Sequence, residues 1–316
     1  MIRSQIPNEM TLISRKYKVC LFAFLTTFLF LGKANVKAQP AIPAGQVDIF
    51  MGVDFNYRDI FHNGRVYDFL INLTPGIKWN MGKGWQAAAQ AFVPVVNQFG
   101  DRYKKVRLNM AVLSKEFYFD GRGFLKASGG LFGSERYGLD VKGMYIVNPW
   151  LALEAQAGLT GYCSMAAGWE ASTMERVTAL VGADFYLQRW NTQFRARGGR
   201  FIYEDYGVIV EAMRHFNHCT VGIYGAHSNL AGSNGGFKVI VMIPPYKRKR
   251  RKVNFRPASN FRLTYSMEGA NYGNRTYATD PEENEREGWF DREAMPWGSN
   301  TMQPDFTDKE KKGGRQ

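Results

Sequence analysis

Apolar and polar residues alternate along most of this chain, in stretches of about ten residues. Residues 206–244 contain three such stretches, at 206–215, 218–227 and 236–244. One face carries small or apolar side chains, at Val208, Val210, Ala212, Val221, Ile223, Gly225, Phe237, Val239, Val241 and Ile243. The other face is mixed, with Glu211, Thr220, Tyr224 and Lys238 beside Ile209, Ile240 and Met242. Because successive side chains of a strand point to opposite faces, this pattern predicts three consecutive β-strands.

The same unit recurs from residue 46 onward and predicts about twelve strands. The alternation is clearest in residues 150–162, where leucine and alanine occupy one face and Glu154, Gln156, Gly158 and Thr160 the other. The earlier and later strands are predicted at 46–56, 66–80, 85–96, 106–119, 124–132, 137–147, 175–188 and 191–203. After residue 40 the sequence contains no apolar run of the ~18 residues that a membrane helix requires.

The lengths of the connections also alternate along the chain. Tight turns are expected at MGKG, DGRG, NP, RW and FN, and longer connections at 58–65, 97–105, 133–136, 163–174 and 228–235, with a short exception at 204–205. Outer-membrane barrels have short periplasmic turns and longer outer loops. The sequence therefore predicts a closed antiparallel transmembrane β-barrel of about twelve strands, whose C-terminus returns to the periplasm.

Three tryptophans, Trp85, Trp150 and Trp190, fall at the short-turn ends of predicted strands. Aromatic residues are enriched where barrels meet the membrane interface. We expect these side chains to form part of such a girdle, and the alternative is that they are ordinary core residues.

Both ends of the chain differ from the barrel pattern. Basic residues at positions 15–18, an apolar stretch at 19–31 and the small-x-small sequence Val36-Lys37-Ala38 predict a signal peptide over 1–38. A short membrane anchor is the alternative. We assign residues 39–246 to the barrel and 247–316 to a periplasmic tail, basic then acidic and partly disordered, in which 261–268 could add a further strand.

The net charge of +13 includes the run KRKRRK at 247–252. Such a run suggests nucleic acid in a nuclear protein, but an export signal argues against that partner. Contact with outer-membrane lipid headgroups, contact with an acidic periplasmic partner through residues 247–293, and a solvated linker remain open.

The predicted interior carries charges of both signs. The cations are Arg107, Lys126, Lys142, Arg176, Arg195 and Arg197, and the anions are Asp48, Asp54, Asp68, Asp140, Glu154, Asp184 and Glu211. Buried charges must be paired or hydrated. We favour a salt-bridged interior over a polar channel or sugar-binding cleft. If a ligand binds inside, the candidate residues are Arg107, Glu154, Gln156, Arg176, Arg195, Arg197 and Glu211.

The sequence offers few candidates for metal binding, nucleophilic catalysis or disulfide formation. His215 and His218 have HxxH spacing without a third ligand, so we expect no metal and no cofactor. His227 and Ser228 are adjacent and must face opposite sides of one strand, so a lipid hydrolase would need a lipid-facing Ser–His pair from neighbouring strands. Cys163 and Cys219 are predicted at opposite ends of the barrel and should be free thiols.

Two stretches resemble a known family. The sequences GVIVEAMRHFNHCTVGIYGAHSN and GGFKVIVMIPP resemble the closing region of YjbH-like outer-membrane barrels, and FRLTYSMEGANYGNRTYATDPEENEREGWFDRE resembles a tail in a subset of that family. The resemblance covers residues 200–293 and implies an outer-membrane location and a role in extracellular polysaccharide production or secretion. It supplies no catalytic residues, and this chain is much shorter than the long two-part members of the family. We therefore expect a non-enzymatic protein, with a small diffusion porin, a lipid-modifying enzyme and a soluble secreted β-protein as alternatives.

Overall fold

The computed structural model describes residues 44–62, 65–119, 123–148, 150–166, 168–216, 219–243, 252–266 and 275–283. The predicted signal peptide, most of the basic run and residues 284–316 lie outside these ranges. The described residues form strands and two 3-10 turns, Asp101–Tyr103 and Gln188–Trp190, and contain no α-helix. The all-β prediction is confirmed.

The described residues form fifteen strands. Their bounds are β1 Val47–His62, β2 Arg65–Gly82, β3 Trp85–Asn97, β4 Arg107–Phe119, β5 Gly123–Phe132, β6 Arg136–Asn148, β7 Leu151–Ser164, β8 Glu170–Ala171, β9 Arg176–Leu187, β10 Thr192–Arg200, β11 Tyr206–His215, β12 Cys219–Ser228, β13 Gly232–Met242, β14 Val253–Pro257 and β15 Asn260–Ser266. Twelve of these correspond to predicted strands. The short β8, and β14 and β15, are additional, so the predicted count of about twelve is too low.

Neighbouring strands along the chain pair antiparallel from β1 to β13, with the two-residue β8 pairing only with β7. β14 lies beside β1 in parallel register, from Val47 opposite Val253 to Met51 opposite Pro257. β15 lies antiparallel to β13, from Gly236 opposite Ser266 to Met242 opposite Asn260. Only residues 258 and 259 separate β14 from β15.

This pairing corrects the predicted domain boundary. The sequence places residues 253–266 in a tail, but they form two strands of the sheet. The second of them, β15, answers the open question of a strand near 261–268. The hydrophobic alternation is short here and a charged run precedes it, which is why the pattern alone did not include these residues in the sheet.

The two faces of the sheet have inverted polarity: the exposed face, which we call the outer face, is apolar, and the buried face, which we call the inner face, is polar. Large apolar side chains more than a third exposed line the outer face, including Met51, Val53, Leu73, Ile77, Leu113, Leu139, Leu153, Val181, Phe194, Val210, Ile223 and Phe237. Polar side chains less than a tenth exposed line the inner face, including Asp48, Asn72, Lys78, Asn80, Ser114, Asp140, Thr160, Asp184, Gln193, Arg195, Glu211 and Thr220. A protein with an apolar core has the opposite arrangement.

Trp85, Trp150 and Trp190 are all exposed at the short-turn ends of their strands, so they are not core residues. No helix among the described residues is long and apolar enough to cross a membrane.

Candidate functional site

The inner face holds a charged cluster centred on Arg195 of β10. Its Nε lies 2.7 Å from Asp184 Oδ1 on the neighbouring β9 and 3.8 Å from Glu154 Oε1 on β7. Its Nη1 lies 3.8 Å from Glu211 Oε2 on β11. Antiparallel register explains the closeness, because Arg195 is directly opposite both Asp184 and Glu211.

Two further cations complete this cluster. Arg197 lies 3.6 Å from a carboxylate oxygen of Glu154 and 3.6 Å from one of Glu211. Lys238 of β13 donates to Glu211. Three cations thus face three carboxylates, so the cluster is internally balanced. Four of the seven predicted binding candidates, Glu154, Arg195, Arg197 and Glu211, meet here, as the salt-bridge interpretation expects.

The other three candidates lie elsewhere. Gln156 donates to Asp140 across the β6–β7 pair, at 2.8 Å. Arg107 is half-buried, with its guanidinium 5.0 Å from the ring centres of Phe92 and Tyr103. Arg176 is exposed at the loop end of β9, 3.5 Å from Glu204, so it does not line the interior cluster.

A second group of charges is built around residues 275–283, here called the inner segment. Asp280 lies 2.7 Å from the Nζ of Lys78 on β2 and 3.3 Å from that of Lys126 on β5. Glu283 lies 2.5 Å from the Nζ of Lys142 on β6.

Glu282 makes the most directional contact of the inner segment. Its two carboxylate oxygens each accept a hydrogen bond of 2.6 Å from the guanidinium of Arg256 on β14. One of them also accepts from the Ser259 N–H at 2.9 Å. A bidentate arginine–carboxylate pair fixes both distance and orientation. We call Lys78, Lys126, Lys142 and Arg256 the cationic wall.

The beginning of the inner segment is attached to the loop end of the sheet. The Gly133 N–H donates to the Ala278 carbonyl at 3.0 Å, and the Ser134 hydroxyl donates to the Thr276 carbonyl at 3.1 Å. Arg275 is paired with the buried Asp205 in the β10–β11 connection. Tyr277 is buried, stacks on Phe132 with ring centres 5.5 Å apart, and donates to Asp140 at 2.6 Å.

The inner segment therefore runs from the loop end back toward the short-turn end. Gly133 follows the last residue of β5 at the loop end, whereas Arg256 lies opposite Phe50, near the start of β1. Residues that the sequence places in a tail thus pack against the inner face of the sheet.

The electrostatics of the inner segment favour ionised carboxylates. Burial alone would raise the pKa of Asp280, but the ammonium groups of Lys78 and Lys126 bring that pKa well below its ordinary value. Burial of Glu282 is likewise outweighed by the hydrogen bonds from Arg256 and the charge of Lys78, and burial of Glu283 by Lys142. Each of the three pKa values is lowered.

Sequence reasoning missed Lys78, Arg256 and the role of the inner segment. The sequence does place Lys126 and Lys142 in the interior, and an acidic part in the tail. Because the predicted interior holds six cations and seven carboxylates, its charge gives no signal that an acidic segment elsewhere in the chain contributes to it.

The outer face carries a histidine and a serine in contact across two strands, which the pattern of one strand does not reveal. His227 and Ser233 are directly opposite in the β12–β13 pair, and His227 Nδ1 lies 2.9 Å from the Ser233 hydroxyl oxygen. Both residues are exposed, whereas Ser228 is fully buried, which confirms that His227 and Ser228 face opposite sides. A Ser–His pair from neighbouring strands, facing outward near the loop end, is therefore present.

Among the described residues, no group of three or more His, Cys, Asp or Glu side chains is arranged to hold a metal ion. His215 is buried and its ring nitrogens contact the Thr220 hydroxyl at 2.9 Å and the Gln193 amide oxygen at 3.0 Å. His218 lies outside the described residues. Cys163 and Cys219 are both free thiols, as predicted.

No family model matches this chain, and no curated protein matches it.

Proposed function

We propose that this chain is a transmembrane β-barrel of the bacterial outer membrane, non-enzymatic, which takes part in the production or secretion of an extracellular polysaccharide. The observation that carries the membrane assignment is the inverted polarity of the sheet. An apolar outer face avoids a large hydration cost only when a hydrocarbon layer covers it, and alternating apolar-out and polar-in strands are typical of such barrels.

Closure of the barrel is the second part of the proposal. The Ala258 N–H donates to the Met51 carbonyl of β1 at 2.8 Å, and the Ser259 carbonyl accepts from Ile243, just after β13, at 3.0 Å. Residues 253–266 thus bond to β1 on one side and to β13 on the other. This supports a ring of thirteen long strands, in which β14 and β15 act as one, and a ring leaves no edge groups unpaired in lipid.

The filled interior favours an anchor over an open diffusion porin. The inner segment lies against the cationic wall, and the Arg195 cluster joins side chains from five strands on another part of the inner face. The polysaccharide role rests on the resemblance to YjbH-like proteins over residues 200–293.

Two measurements test these parts separately. Fractionation with a heat-modifiability gel should place the protein in the outer membrane, with different mobility before and after boiling; a soluble protein without that shift contradicts the barrel. Loss of surface polysaccharide in cells lacking this protein should be restored by the intact chain. Unchanged polysaccharide contradicts the biological role and leaves the barrel standing.

A second candidate function is hydrolysis of membrane lipid, favoured by the outward-facing His227–Ser233 pair. A histidine within hydrogen-bond reach of a serine hydroxyl can act as its general base. The test is release of fatty acid from phospholipid vesicles by the purified protein. Activity abolished by Ser233→Ala and kept by the neighbouring Ser228→Ala would support it, and equal fatty-acid release by the protein and by Ser233→Ala would exclude it.

A further inference from the structure

The number of strands in the proposed barrel determines how much space its interior leaves for other residues. Side chains alone fill barrels of about eight strands, whereas barrels of about sixteen leave an aqueous channel. The proposed ring of thirteen strands lies between these limits. Its interior is wider than wall side chains fill by themselves, and the inner segment occupies part of that space with Tyr277, Thr279 and Glu282, each nearly inaccessible to solvent.

The inner segment is held differently from the strands. Each long strand is bonded to its neighbours by a ladder of backbone hydrogen bonds, interrupted only at a few register shifts. The inner segment has two described backbone bonds to the barrel, from the Gly133 N–H to Ala278 and from the Ile202 N–H to Arg275. Its remaining attachments are side-chain contacts, mostly ion pairs. It can therefore leave without breaking the sheet.

The charge that its departure would uncover is positive. The Arg195 cluster balances its own charges and does not contact the inner segment through any described ion pair. The cationic wall differs, because Lys78, Lys126, Lys142 and Arg256 come from four strands and all are paired with carboxylates of the segment. Carboxylates of the strands offset part of this charge: Asp48 lies opposite Lys78 and 3.0 Å from Arg256, Glu116 lies 3.8 Å from Lys126, and Asp140 is on the same face of β6 as Lys142. Four cations against these three carboxylates leave the wall positive when the segment is displaced.

From these contacts we infer that the inner segment is a plug in an anion-selective path, and that the cationic wall is the anion-binding site of that path. Asp280, Glu282 and Glu283 occupy in the closed state the positions that chloride or a carboxylate-bearing solute occupies when the segment is displaced. This inference rests on the proposed membrane barrel and adds a conduction activity to it.

The main experiment measures current through planar lipid bilayers in a potassium chloride gradient. The full chain is compared with a variant in which residues 275–283 are replaced by glycine and serine at unchanged length. The full chain should be silent, and the variant should show a stable conductance whose reversal potential indicates preference for chloride. Adding Lys78→Gln, Lys126→Gln and Lys142→Gln to the variant should keep the conductance and remove the preference.

A milder variant guards against misfolding. Asp280→Asn, Glu282→Gln and Glu283→Gln together weaken the ion pairs while preserving side-chain shape, and conductance should appear. The matched control neutralises three exposed carboxylates, by Asp101→Asn, Glu170→Gln and Glu175→Gln, and should stay silent.

A reversible cross-link tests whether movement of the segment opens the path. A Cβ built on Gly133 lies 3.6 Å from the Cβ of Ala278, within the range for a disulfide. Gly133→Cys with Ala278→Cys, in the milder variant with Cys163→Ser and Cys219→Ser, should abolish the conductance when oxidised and restore it on reduction.

The outcomes separate the two proposals. Variants that remain heat-modifiable and insert into vesicles, yet stay silent, overturn the plug while the barrel stands. Conductance without chloride preference in the segment-replaced variant also overturns the plug. So does a conductance that is unchanged when the cross-link is oxidised. Loss of heat-modifiability in the full chain itself would instead count against the barrel.

Discussion

The hydroxyl of Tyr277 donates a 2.6 Å hydrogen bond to the carboxylate of Asp140, a residue 137 positions earlier in the chain. Asp140 lies on the inner face of β6, and Tyr277 is stacked on Phe132 at the end of β5. This contact holds the buried start of the inner segment against β6. It lies on the loop side of the carboxylates that pair with the cationic wall.

Removing the hydroxyl should therefore loosen the inner segment. We expect Tyr277→Phe to lower the free energy of unfolding by about 1–3 kcal/mol, because a buried carboxylate loses one of its donors and retains Gln156. Urea unfolding in lipid vesicles measures the change. Tyr206→Phe, at an exposed tyrosine, should have little effect; equal effects of the two changes would contradict this role of Tyr277.

Tyr277 also packs closely against the backbone of β7. A Cβ added at Gly158 would lie 1.9 Å from the Tyr277 hydroxyl oxygen, whereas one added at Gly225 meets nothing within 4 Å. Overpacking of this kind typically costs about 1–3 kcal/mol. Gly158→Ala should thus lower the temperature at which the folded band disappears on a heat-modifiability gel, and Gly225→Ala should not. Matching transitions would show that Tyr277 is not seated at Gly158.

The Arg195 cluster should contribute strongly to stability through its balance of charge. Arg195→Gln leaves Asp184, Glu154 and Glu211 with fewer cations in a buried site, and breaking such a network by removing one partner costs about 3–5 kcal/mol. Urea unfolding in vesicles measures the loss, with the exposed Arg189→Gln as the control. A loss near zero would indicate that the carboxylates are hydrated by an open lumen.

Acid should release the inner segment. Docking lowers the pKa values of Asp280, Glu282 and Glu283, so the docked segment binds fewer protons than the released one. The stabilisation is complete above the ordinary carboxyl range, near pH ~4–4.5. It is lost as the pH falls from there through the lowered values.

A spin label placed by Ala278→Cys, with Cys163→Ser and Cys219→Ser, should be immobile at neutral pH and become mobile only in that acid range. A label at the exposed Glu170→Cys should be mobile throughout. Release at neutral pH, or immobility down to the lowest pH at which the sheet stays folded, would contradict the ion-pair attachment.

Much of the sheet follows from local alternation. Residues 150–162 alternate so regularly that β7 and its inward Glu154, Gln156 and Thr160 could be predicted. The predicted strands differ from the observed ones mainly at the ends: β1 continues to His62 and β2 begins at Arg65, within the range 58–65 that the sequence assigns to a loop. Register then brought Arg195 opposite Asp184 and Glu211, which no single strand's pattern specifies.

The sequence by itself determined the strand period, the polarity of the two faces and the presence of charges inside, because each depends on residues two positions apart. Only the tertiary structure decided where residues 253–266 and the inner segment belong, and that His227 meets Ser233. Those contacts join residues from different strands or distant parts of the chain. Local periodicity carries no information about which buried lysine an acidic residue two hundred positions away will neutralise, as Asp280 does for Lys78.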